Sequence, residues 1–112
     1  LFRSVQNLLA SANQSLQQGN FEEAAVSLER AQRLAPQSAT VYQKLAEVRL
    51  QQTRFSEAEQ LARKGLSYAQ GNAQQAALWR LVAQAAQEQG KTETAINAKN
   101  KAMQLEMMGD RG

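Results

Sequence analysis

Apolar and small residues recur along this chain at separations of three and four, the period of a helix buried on one side. Ala24, Leu28 and Ala31 form one such series, and Ala58, Ala62 and Gly65 repeat it 34 residues later. Upstream, Leu8 with Ala12 and Tyr42 with Ala46 keep the same offset. A third copy, with Trp79, Ala83, Ala95 and Ala102, follows after a further 37 residues. Each copy is interrupted once, by "QQG" at Gly19, "QQT" at Thr53 and "EQG" at Gly90, with Phe21, Phe55 and Thr92 two places on. The pattern predicts six helices, near 4–18, 21–34, 39–52, 55–69, 73–89 and 92–107, folded into three hairpins.

A single hairpin cannot cover its apolar stripe, so three must stack to bury a continuous core. Ala12, Ala46 and Ala83 fall where the first helix of each pair must approach the second closely, and Ala24, Ala58 and Ala95 are their counterparts across the turn. Phe21 and Phe55 are placed to fold back over the gap between paired helices. Local signals agree: Asn20 with Glu23 reads as an N-cap with an acidic partner, and Ser38 after Pro36 as the cap of the third helix. Gly71-Asn72 reads as the stop of the fourth helix and the start of the fifth, whose beginning the three extra residues of "GNAQQAA" should lengthen.

This order of large apolar, small, Gly-x-aromatic, Ala, large apolar, Ala and Pro resembles the tetratricopeptide repeat family, whose unit is helix, turn, helix. The first unit keeps it through Pro36. The second keeps Tyr42, Leu45, Ala46, Phe55 and Ala58, with Thr53 for the turn glycine and Gln70 for the proline. The third keeps Trp79, Ala83, Gly90, Ala95 and Ala102 but has Thr92 and Lys99 at large-apolar places. The resemblance covers about residues 5–105 and implies an all-α fold, three tandem units of six antiparallel helices in a right-handed α-solenoid. One domain is expected over 1–108, with units about 5–38, 39–72 and 76–108, followed by a flexible tail at 109–112.

Charge and composition narrow the function. Thirteen basic and ten acidic residues give a net charge of +3, and they intermingle, so a solvated mixed-charge surface is expected and no nucleic-acid partner. Cysteine and histidine are absent and the sole aspartate is Asp110, which removes the usual nucleophiles, general bases and metal ligands. No glycine-rich phosphate loop and no long apolar run are present. Glu22 with Glu23 and Glu57 with Glu59 open second helices, where acidic groups favour the helix dipole over acid–base work. A non-enzyme follows, with no cofactor, no metal and no small-molecule substrate. The start "LFRSVQNLLA" lacks an initiator Met, so a piece of a longer or processed protein is expected.

What remains is surface. In a stack of this type the first helices line the concave face. The inward positions are Gln6, Leu9, Asn13, Leu16 and Gln17 in the first unit, and Thr40, Gln43, Glu47, Leu50 and Gln51 in the second. The third unit contributes Ala77, Arg80, Gln84, Gln87 and Glu88. Amides there suit the backbone of an extended peptide, and the leucines its apolar side chains; the alternative is a solvated amide-rich face whose leucines belong to the core. Chaperone-binding members of the family grip a carboxylate with Lys, Asn and Arg; of the matching Leu9, Asn13, Lys44, Ala77 and Leu81, only Asn13 fits, which argues against a chaperone tail. Trp79 is expected in the core, and Met103, Leu105, Met107 and Met108 as an apolar patch on the last helix.

The wording "LAPQSATVYQKLAEVRLQQTRFSEAEQLARKGL" followed by "ALWRLVAQA" resembles small three-repeat lipoproteins of Gram-negative bacteria. That resemblance implies the periplasmic face of the outer membrane, a lipidated cysteine and linker upstream, and allosteric activation of a bifunctional class A penicillin-binding protein. The alternative is a structural or assembly module that self-associates through the C-terminal helix or serves another envelope, pilus or secretion complex.

Overall fold

The computed structural model describes residues 2–109. They form α1 (Phe2–Gln17), α2 (Phe21–Leu34), α3 (Ala39–Gln51), α4 (Phe55–Leu66), α5 (Asn72–Glu88) and α6 (Thr92–Met108), with no strand among the described residues. α1 packs on α2, α3 on α4 and α5 on α6, while α2 leans on α3 and α4 on α5. The result is a helical solenoid. Of the tail predicted at 109–112, Gly109 closes α6 and the rest lies outside the described residues.

Small residues set the distance between helices. Ala12, Ala24, Ala31, Ala46, Ala58 and Ala62 are all buried, and the largest fully buried side chains, Leu28, Leu45, Leu78, Val41, Val48 and Val82, fill the layers between them. Each of these larger groups contributes roughly 2 kcal/mol by leaving water. Gly65 marks the tightest point: a Cβ there would lie 3.0 Å from Leu78 Cδ2 and 3.2 Å from Tyr42 Cβ. The backbone of α4 is wedged between α3 and α5 at this glycine. In the third unit the seam shifts. Ala83 and Ala95 are only half-buried, and Val82, Ala86, Ala98 and Ala102 take the interior instead. α6 is packed on one side only among the described residues, so its buried stripe narrows and Lys99 faces solvent.

Several local expectations need correction. Ser38 caps α3, its Oγ accepting from the Val41 N–H at 3.3 Å, and the Tyr42 hydroxyl donates to the Pro36 carbonyl at 2.7 Å. Asn20 occupies the N-cap of α2 but its amide donates to Gln18 Oε1 at 3.3 Å, so no capping box with Glu23 forms. Gly71, at φ 87°, is the N-cap of α5, and does not end α4. Asn72 is the first residue of α5, and its Nδ2 donates to the Gly109 carbonyl at 2.5 Å, pinning the end of α6 to the start of α5. α4 stops at Leu66, short of the predicted 69, because Ser67 and Tyr68 turn back onto the Lys64 and Gly65 carbonyls. The freed Tyr68 ring stacks on Tyr42 with centroids 5.9 Å apart. The extra residues of the third unit do lengthen its first helix, α5 having 17 residues against 13 in α3.

The three hairpin turns share one geometry. Asn20, Arg54 and Lys91 each donate a backbone N–H to the carbonyl five residues back, on Ser15, Arg49 and Ala86, at 2.8–2.9 Å. That closure requires the residue before it to be left-handed. Gly19 and Gly90 sit at φ 77°, and Thr53 is forced to φ 60°. A β-branched residue is disfavoured there because its Cβ crowds the following carbonyl. Thr53→Gly is therefore expected to raise stability by about 1 kcal/mol, the relief of roughly 1–2 kcal/mol of backbone strain being partly offset by the freer unfolded chain. Thermal unfolding checks this, with a midpoint rise of about 4 °C; an unchanged or lower midpoint would show the threonine to be unstrained.

Candidate partner-binding site

The first-helix face is uneven. Gln6, Asn13, Gln17, Thr40, Gln51 and Gln84 are exposed, Gln43 and Glu47 half-buried. Glu47 pairs with Lys44 at 3.8 Å, and Thr40 accepts a hydrogen bond from Gln74 of the next first helix at 3.2 Å. The leucines do not form the expected exposed ridge. Leu9 and Leu16 pack half-buried against the first core cluster, and Leu50, 9% exposed, is sealed between Ala58 and Ala85. A leucine one turn from a seam alanine is drawn into the same layer, and burial there outweighs presentation to a partner.

The structure does bring Gln6, Leu9 and Thr40 together. With Phe2, Val5, Leu34, Ala35 and Ser38 they line a recess of about 400 Å³ at the amino-terminal end of this face. Leu34, Ala35 and Ser38 come from the end of α2 and the loop after it, a contribution that reading the first helices alone could not supply. Arg80, expected as a free groove cation, is engaged instead: its Nε and Nη2 donate to the two carboxylate oxygens of Glu106 on α6, the Nε bond being 2.6 Å long. That pairing raises the guanidinium above its ordinary value and lowers the Glu106 carboxyl. Trp79 is half-buried, not fully in the core; its ring packs on the second cluster beneath Arg63 and Lys101, whose charged ends lie 5.9 and 5.1 Å from its centroid. On α6, Met103, Met107 and Met108 are exposed, as is Ile96, which the sequence pattern did not single out, while Leu105 is half-buried. No helix of the described residues is long and apolar enough to cross a membrane.

Stacked hairpins with seam alanines, left-handed turns and a polar first-helix face match a known pattern, and a model of the tetratricopeptide repeat matches residues 15–85. The chain belongs to the tetratricopeptide repeat family. It is accordingly a protein-interaction domain. The globular C-terminal domain of LpoP from P. aeruginosa is 49% identical, with a TM-score of 0.84, covering 88% of this chain and 94% of that one. The N-terminal domain of stress-induced protein-1 from C. elegans superposes with a TM-score of 0.79 over 91% of this chain and 86% of that one; at 22% identity it shares the fold alone. No curated protein matches the sequence.

Within the tetratricopeptide stack, one charged group holds two units in register. Glu59 was expected at the surface, favouring the dipole of α4, yet it is buried. Its carboxylate accepts from Gln89 at 2.9 Å, Lys91 at 3.1 Å and Arg63 at 3.1 Å, so α4 is bound to the turn between α5 and α6. Burial by itself would raise the Glu59 carboxyl, but the hydrogen bonds from Gln89, Lys91 and Arg63, with the charge of Lys91, outweigh it and hold it below its ordinary value. The signal was present in the repeat alignment, where Ala25 and Ile96 occupy the same place: a carboxylate at a seam position needs partners. The first two units are joined differently, by Arg49, which reaches Glu29 at 3.0 Å and Glu57 at 3.7 Å.

A lowered folded-state value means that Glu59 stabilises the fold fully above its ordinary value of 4.5 and loses that contribution as the pH falls through the folded-state value. Glu59→Ala is expected to cost about 2 kcal/mol at neutral pH. In urea unfolding followed across the acid range, the gap between the parent and the variant should close below pH 4.5. A gap that stays constant into acid would assign the loss to packing and not to the charge.

Proposed function

We propose that this chain is the regulatory domain of a cell-envelope lipoprotein, held at the periplasmic face of the outer membrane, and that it acts on a bifunctional class A penicillin-binding protein. Its action is by binding and not by catalysis: docking of the synthase shifts that enzyme toward its active state, and only a difference in affinity between the two states can do so. The observation that carries this reading is the 49% identity to the LpoP domain over nearly the whole of both chains, joined to the resemblance of the repeat wording to small three-repeat lipoproteins. That the LpoP domain is globular and C-terminal fits a folded end carried on an upstream linker.

The first-helix face is the proposed docking surface. Exposed amides at Gln6, Asn13, Gln17, Gln51 and Gln84 offer both donors and acceptors to a partner's backbone, and the recess beside Gln6 and Thr40 accepts one apolar side chain. The experiment is titration of this domain into the purified periplasmic portion of the synthase, with glycan polymerisation followed in parallel. Saturable binding and a faster polymerisation rate are expected, and Gln6→Glu with Gln43→Glu should weaken binding at least about tenfold with no loss of thermal stability. Absence of binding by the parent domain overturns the proposal; binding untouched by the double variant moves the site off this face.

A second reading is favoured by α6, whose Ile96, Met103 and Met107 are 55%, 45% and 86% exposed along one stripe. Self-association through that stripe would cover it. Sedimentation is then expected to show a dimer that Met103→Lys with Met107→Lys converts to monomer, whereas a parent chain that is monomeric throughout removes this reading.

A further inference from the structure

Among the described residues the arginines divide into two groups. Arg49, Arg54, Arg63 and Arg80 are each paired with a glutamate. Arg3, Arg30 and Arg33 are exposed and have no hydrogen bond or ion pair among the described residues, and all three lie where the start of α1 meets the end of α2. Arg33 gains from the carboxyl end of α2, where a cation is favoured. Arg30 sits a turn earlier, outside that effect, and Arg3 stands in the first turn of α1, where a cation opposes the dipole and no acidic residue offsets it. Local helix energetics therefore do not explain the cluster.

Arg30 and Arg33 border a recess of about 430 Å³ completed by Ser4, Asn7, Leu8 and Leu34. It combines two guanidinium groups, a hydroxyl, an amide and an apolar floor, and its lining comes from α1 and α2. We infer that this recess is a second docking site, for an acidic segment of a partner polypeptide that carries an apolar side chain between its carboxylates. Guanidinium forks match carboxylates in a bidentate manner, and Leu8 and Leu34 cover the apolar group. A flat anionic lipid surface fits less well. Farther along the same two helices Glu22 and Glu23 line a neighbouring hollow with Ser11, Ser15 and Val26, where a negative plane would be repelled. The site shares only Leu34 with the recess on the first-helix face, so its failure leaves the synthase reading intact.

The probe is a short acetylated peptide of glutamates around one central phenylalanine, titrated into the isotopically labelled domain and followed by amide chemical shifts. Shifts are expected to cluster at Ser4, Asn7, Leu8, Arg30, Arg33 and Leu34. Arg30→Glu with Arg33→Glu should weaken binding at least about tenfold, whereas Lys99→Glu with Lys101→Glu, the same change in net charge, should alter it by less than about twofold. Replacing the phenylalanine by alanine should cost about tenfold, the value of one buried aromatic side chain. Equal losses in the two charge reversals, shifts centred on Gln6 and Thr40, or arginine-dependent binding to phosphatidylglycerol vesicles stronger than to the peptide would each overturn the inference.

Discussion

The close approach of neighbouring helices at alanine and glycine positions is the constraint from which the rest follows. Where Gly65 lets the backbone of α4 press between Tyr42 and Leu78, no larger residue fits without moving a fully buried leucine or a Cβ anchored to the backbone. Interhelical distance, and with it the depth to which Leu28, Leu45 and Val48 interdigitate, is set by such contacts. The left-handed turns that return each second helix onto its first then have to close within two residues, which is why even Thr53 adopts the glycine conformation.

A stack held mainly by small apolar contacts has little to fix the lateral register of one hairpin on the next. Charged links at the two junctions help supply it, and they differ. Arg49 spans Glu29 and Glu57 at one junction, and Glu59 is bound by Gln89, Lys91 and Arg63 at the other. These networks lie beside the core, where removing one partner leaves another desolvated without compensation. Arg3, Arg30 and Arg33 take no part in such links among the described residues.

Two surfaces of unlike character result. The first-helix face is rich in amides, with its leucines withdrawn into the core. The end of the first hairpin concentrates positive charge around Leu8 and Leu34.

The repeat itself was legible in the sequence because helix period, seam alanines and turn residues are local properties, each written within about one unit. Those same features determined the number of helices, their pairing and the family, and Ser38 could be assigned as a cap from its neighbours alone. Asn20 could not, since its side chain had a choice between the α2 backbone and Gln18. Only the tertiary structure decided that Leu50 is buried while Leu34 lines a recess, that Glu59 is a buried link, and that Arg80 is taken up by Glu106. Those outcomes depend on which residues of other helices arrive at the same place. Ion pairs between residues 26 or more apart are formed by packing geometry, and no local pattern encodes them.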